Sequence, residues 1–160
     1  LQARHLIENG CPSVMVANGM PWDCHVFNHE IHQMLVPELD NVLHCLITDL
    51  EDRGLLDSTL VIAMGEFGRT PWLNEARGRD HYPNAWSMSL AGCGIKPGVV
   101  YGATDDEGFE VADKPVDQRQ LFSTIFTALG IDPNEEYDLP GLPTFHRVEG
   151  EVEPIHEVLL

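Results

Sequence analysis

Between positions 30 and 53, apolar residues fall at Ile31, Leu35, Leu39, Val42, Leu43, Leu46 and Leu50. Steps of three and four place them on one face of an amphipathic helix. Pro37 predicts a kink there, or a helix that begins near it, and Gly54 ends the segment. Residues 117–129 repeat the pattern, with Leu121, Ile125, Phe126 and Leu129 on one face and Gly130 as the cap. Residues 1–9 read as the end of a helix closed by Gly10. Short apolar runs at 13–17, 59–64 and 86–91 have the length of strands, and 99–103 reads as an edge strand. Residues 18–28 and 65–84 read as loops. Beyond Pro133 the chain is acidic, rich in Pro and Gly, and expected to be mostly loop.

Helices alternating with short apolar strands predict an α/β fold whose parallel or mixed sheet is covered on both faces. The runs at 13–17 and 59–64 are expected in one sheet, with 59–64 as a buried central strand. Ligands of such sheets sit at the carboxyl ends of strands, which directs attention to the loops after Ala17 and Met64.

The chain has 160 residues, the size of one ordinary domain. Nine Lys+Arg against 26 Asp+Glu give a formal charge of −17, which argues against a nucleic-acid partner and against an anionic membrane surface. The uncharged run at 83–95 is too short to span a bilayer. Cys11, Cys24, Cys45 and Cys93 form no C-x-x-C pair and read as small buried hydrophobes. Leu1 is not an initiator, so the chain reads as a piece of a longer protein.

The two loops hold the unusual residues. Asp23 and His25, two apart, can turn toward one metal ion; the alternative is a helix-capping Asp beside a polar His. Glu66 stands where a strand-end ligand or general base would stand, and Arg69 can hold an anion with its planar fork. A Glu66–Arg69 ion pair that stiffens the loop is the alternative. Further along, Gly78-Arg79-Asp80-His81-Tyr82-Pro83 places His81 in a Gly- and Pro-bounded turn. Arg69, Arg77, Arg79 and Lys96 are four of the nine basic residues, a cationic island suited to a phosphate- or sulfate-like anion.

Taken together, Pro21-Trp22-Asp23-Cys24-His25, Gly65-Glu66-Phe67-Gly68-Arg69-Thr70-Pro71, Gly78-Arg79-Asp80-His81-Tyr82-Pro83 and 91–98 resemble the C-terminal part of the domain-of-unknown-function 1501 family (DUF1501) over residues 1–133. That family is grouped with sulfatase-like proteins of the alkaline phosphatase superfamily. The resemblance implies an alkaline-phosphatase-like α/β domain with a mixed, mostly parallel sheet flanked by helices, residues 134–160 being an acidic, mostly irregular tail. It implies a metal-dependent hydrolase of phosphate or sulfate esters that uses a divalent ion, zinc first, with calcium or manganese as alternatives. Asp23, His25 and His81 match metal ligands, and Glu66 a second-site ligand or base. Arg69 and Arg79 would stabilise the transition state. Phe67 stands where the superfamily often has a second His. The nucleophile would come from the N-terminal half of the same domain, the expected partner, and family members often carry export signals, frequently of the twin-Arg type. The rivals are a non-catalytic relative binding an anionic sugar or polymer and a structural surface-interaction domain. Two spatial expectations follow: the tips of Asp23, His25 and His81 lie within about 5 Å of each other, and Arg69 and Arg79 face the cleft of Glu66 and His81.

Overall fold

The computed structural model describes residues 1–17 and 22–160. The first residues of the loop expected at 18–28 therefore lie outside the described part. The chain is mixed α/β. Helix α1 (Gln2–Glu8) ends before Gly10, whose φ of 82° is the left-handed C′ conformation expected of it. Helix α2 (Asn28–Asp52) is continuous and contains Pro37. It therefore starts well before that residue, rather than near it. The two helices are joined by an ion network. Arg4 Nε donates to Asp49 Oδ2 at 2.9 Å, and Arg53 bridges Asp49 Oδ1 at 2.7 Å and Glu8 Oε1 at 3.0 Å. Of the apolar face of α2, Leu35 and Leu50 are buried, while Leu39 and Val42 are exposed.

After a 3-10 turn (Leu56–Ser58) come the strands β1 (Leu60–Ala63), β2 (Gly68–Arg69), β3 (His81–Tyr82), β4 (Ser89–Gly92), β5 (Ala103–Thr104) and β6 (Val111–Asp113). Helix α3 (Gln118–Ala128) and strands β7 (Glu136–Tyr137) and β8 (Phe145–His146) follow. The strands form four two-stranded ladders: β1 with β4, β2 with β3, β5 with β6 and β7 with β8. All four are antiparallel, so the mostly parallel sheet is not what the described residues form. The run at 13–17 has no strand pairing, and Met15 and Val16 in it are exposed. It is an extended apolar segment, not a member of the sheet of β1. Nor is β1 deeply central, because it pairs only with β4 and Ile62 is exposed. Of the edge strand expected at 99–103, only Ala103 is in a strand, as the first residue of β5.

The core joins Ile95, Ala128 and Leu159, with Leu60, Leu90 and Val158 packed against them. Two of these come from the acidic C-terminal segment, which ends in a 3-10 turn (His156–Val158). Ile95 bridges Leu159, and the Leu160 amide donates to the Gly94 carbonyl at 2.9 Å. On α3 the buried residues are Ser123, Thr124 and Ala128, rather than the apolar set at 121, 125, 126 and 129. The reason is the segment that crosses it. Ser123 Oγ donates to the Val152 carbonyl at 2.7 Å, and Thr124 Oγ1 accepts from the Ile155 amide at 2.9 Å. A buried crossing chain needs partners for its backbone, and hydroxyls supply them where aliphatic groups would not. Asp117 caps α3 by accepting from the Gln120 amide at 2.8 Å. The cysteines are more mixed than expected: Cys24 is buried and Cys45 is exposed.

Candidate metal centre

Three backbone segments meet at the centre, and two glycines let them. The β2–β3 ladder pairs Gly68 with Tyr82 and Arg69 with His81, so it carries His81 and Arg69 side by side. The loop 74–80 then docks on 24–28. Arg79 N donates to Cys24 O at 3.0 Å, Asn28 N to Arg77 O at 2.9 Å and Phe27 N to Ala76 O at 3.1 Å. A Cβ at Gly78 would lie 1.9 Å from the His25 carbonyl carbon, and one at Gly68 would lie 1.9 Å from the Ala85 carbonyl oxygen. Only glycine allows backbones this close.

Asp23, His25 and His81 offer one ligating atom each, and these atoms lie within 4.8 Å of one another. That agrees with the sequence expectation, across 58 positions. His25 Nε2 is 3.0 Å from Asp23 Oδ1, His81 Nε2 is 3.0 Å from the same oxygen, and the two Nε2 atoms are 3.2 Å apart. Bonds of 2.0–2.2 Å in a tetrahedral site set neighbouring donors about 3.3–3.6 Å apart, so this triangle fits a zinc-sized ion after a few tenths of an ångström of expansion. Two imidazoles and a carboxylate are also a donor set that zinc favours. The Asp23 carboxyl is lowered to about 2, first by its hydrogen bond with His81 and then by one from Arg69. It is therefore ionised throughout the neutral range.

The other sequence candidates fall around this triangle. Arg69 donates to Asp23 Oδ1, lies 3.8 Å from Glu66 Oε1, and has its guanidinium 5.6 Å from the Phe67 ring centroid. Glu66 itself is exposed and outside the triangle. The Phe67 ring packs against His81 in a tilted arrangement, with centroids 4.4 Å apart, and so supports that imidazole. Arg79 donates to the Thr70 carbonyl and so holds the loop.

Sequence reading passed over three residues. Asp80 Oδ1 is 2.9 Å from His25 Nδ1, Asn74 Nδ2 donates to that oxygen at 3.0 Å, and Thr70 Oγ1 accepts from the Asp80 amide at 3.1 Å. The Asp80 carboxyl is lowered as well, chiefly by the bond with His25. The available signal was its position next to His81 within one motif. On α2, the His32 ring centroid lies 5.6 Å from that of Trp22. Burial lowers its pKa, and the charges of His29, Arg79 and Arg69 lower it further.

The family model described as "Protein of unknown function (DUF1501)" matches residues 1–159. The chain belongs to that family, and the match continues through the C-terminal segment that completes the core. No curated protein and no solved structure matches it.

Proposed function

We propose that this chain is part of a metal-dependent hydrolase of phosphate or sulfate esters, of the sulfatase-like kind within the alkaline phosphatase superfamily. The observation that carries the reading is the convergence of Asp23, His25 and His81 on one point from two distant motifs. These three residues would hold a divalent ion, zinc by donor chemistry, with calcium or manganese as alternatives. Bound there, the ion supplies Lewis-acid polarisation of a phosphoryl or sulfuryl oxygen.

The remaining chemistry belongs to the chain. Arg69 presents a planar, permanently charged fork beside the ligands and stabilises the oxygens on which charge develops. Glu66 is the base or second-site ligand, three residues before Arg69 and in ionic reach of it. Arg79 keeps the loop in place through Thr70. The nucleophile comes from the N-terminal half of the same domain. That partner is supported by the β1–β4 ladder, which pairs with no other strand among the described residues, and by the exposed Ile62 and Met64 on and beside β1. Among the described residues no helix is long and apolar enough to cross a membrane.

The test is equilibrium dialysis of the purified protein against Zn²⁺, Mn²⁺ and Ca²⁺, combined with turnover of a generic phosphate and a generic sulfate ester. One ion per chain should be retained, and Asp23→Ala, His25→Ala and His81→Ala should each lose it while Glu66→Ala keeps it. Equal retention by all three ligand variants would overturn the site, and absence of ester turnover by the metal-loaded intact protein would overturn the activity.

A further inference from the structure

His25 is bonded on both ring nitrogens. Nε2 faces Asp23 and His81, and Nδ1 lies 2.9 Å from Asp80 Oδ1. An ionised carboxylate only accepts, so the hydrogen bond to Asp80 calls for the imidazole proton on Nδ1. The approach of Nε2 to Asp23 is an ionic contact, and the hydrogen bond of Nε2 is to His81 Nε2, which also bonds Asp23 Oδ1; a proton on His81 Nε2 leaves the His25 Nε2 lone pair facing the triangle. A neutral imidazole free in water favours the opposite tautomer, with its proton on Nε2, which has no lone pair there to offer a cation.

Asp80 is itself fixed. Its amide donates to Thr70 Oγ1 at 3.1 Å and its carbonyl accepts from the Thr70 amide at 2.9 Å. Asn74 Nδ2 donates both to Asp80 Oδ1 at 3.0 Å and to the His25 carbonyl at 3.1 Å. The Asn74 Oδ1 accepts from the amides of Ala76 and Gly78, which keeps this amide from rotating. One side chain thus ties the main chain of His25 to the carboxylate that bonds its ring. Asp80 and His81 are consecutive, so one dipeptide provides a donor of the triangle and the support of another.

We propose that Asp80 is the positioning residue that sets the tautomer and orientation of His25, leaving Nε2 as the donor atom, with Asn74 holding Asp80 in place. The proposal rests on the metal-centre reading for its purpose, but its physical content is the tautomer. Carboxylates behind ligating histidines raise metal affinity by about 10–100-fold.

Two measurements on the intact protein test it: ¹⁵N-detected imidazole spectra across a pH series, and Zn²⁺ affinity by competition with a chromophoric chelator. The wild-type protein should show His25 with its proton on Nδ1. Asp80→Ala should shift it toward the Nε2–H form and raise the Zn²⁺ dissociation constant about 10–100-fold. Asp80→Glu should recover part of both. If Asp80→Ala does not fold, the isosteric Asp80→Asn carries the same two readouts. A His25 already in the Nε2–H form in the wild-type protein, or a tautomer unchanged in the folded Asp80 variants, overturns the proposal. An Asp80-dependent Nδ1–H tautomer in a protein that binds no Zn²⁺ upholds the positioning role and overturns the metal reading.

Discussion

Arg69 and His81 are register partners in the β2–β3 ladder, and both hydrogen-bond the same atom, Oδ1 of Asp23. Two residue pairs of antiparallel strand therefore deliver a cation and an imidazole to one carboxylate oxygen. The ladder is the element that turns separate sequence motifs into one centre.

Arg69 supports this centre electrostatically and lies at its surface, where ion pairs contribute under about 1 kcal/mol to stability. Arg69→Ala in the intact protein should lower ester turnover by about 100-fold or more, the scale of losing one transition-state donor. Its melting temperature should fall only slightly. Steady-state kinetics paired with a thermal melt checks this. Unfolding of the variant, with unchanged specific activity in the folded remainder, would make Arg69 a structural clamp.

Acid should act on Asp23 with a definite sign. Its carboxyl ionises at about 2 in the folded protein against an ordinary 3.8, so folding favours the charged form. That stabilisation is fully present above the ordinary value and is lost as pH falls through the folded one. The stability difference between the wild-type protein and Asp23→Asn should therefore be constant above 3.8 and shrink as pH drops toward about 2. Denaturant titrations at a series of pH values measure it. A difference that grows on acidification would contradict the bonding seen around Asp23.

Gly78→Ala places a methyl group 1.9 Å from the His25 carbonyl carbon, an obstacle made of backbone. Forced displacement of this kind costs about 1–3 kcal/mol. The expected result is a lower denaturation midpoint together with weakened Zn²⁺ binding, because the 74–80 loop moves away from His25. A variant with wild-type midpoint and affinity would show that the loop relaxes freely.

Thr124 is fully buried and accepts from the Ile155 amide. Thr124→Val keeps the shape and strands that amide, with an expected cost of about 1–3 kcal/mol. Hydrogen exchange at Ile155 should accelerate in the same variant. An unchanged midpoint with unchanged exchange would mean that the C-terminal segment is held by its apolar contacts alone.

The long helix α2 and the capped helix α3 were legible because periodicity over more than ten residues averages out local exceptions. The ladders were not. Strands of two to four residues are too short for alternation to register, and the partner of β1 begins 26 positions after it ends. The run at 13–17 has strand composition without a partner among the described residues, which shows that apolar content alone does not make a strand. The buried face of α3 was misread because its partners are backbone groups of a segment with no pattern of its own. Asp23 and His25 were legible as two possible donors two apart on one loop, and His81 through the family resemblance of its motif. Asp80 was not, since its partner His25 lies 55 positions away in the sequence.

Gly68 and Gly78 are required by a neighbour's backbone, and neither has a left-handed φ of its own. Part of the information that specifies this centre is thus written as missing atoms. A distant sequence that keeps Asp, His and His but fills either position with a side chain has the vocabulary of the centre without its syntax. Two empty Cβ positions are consequently as diagnostic of it as the groups that would bind.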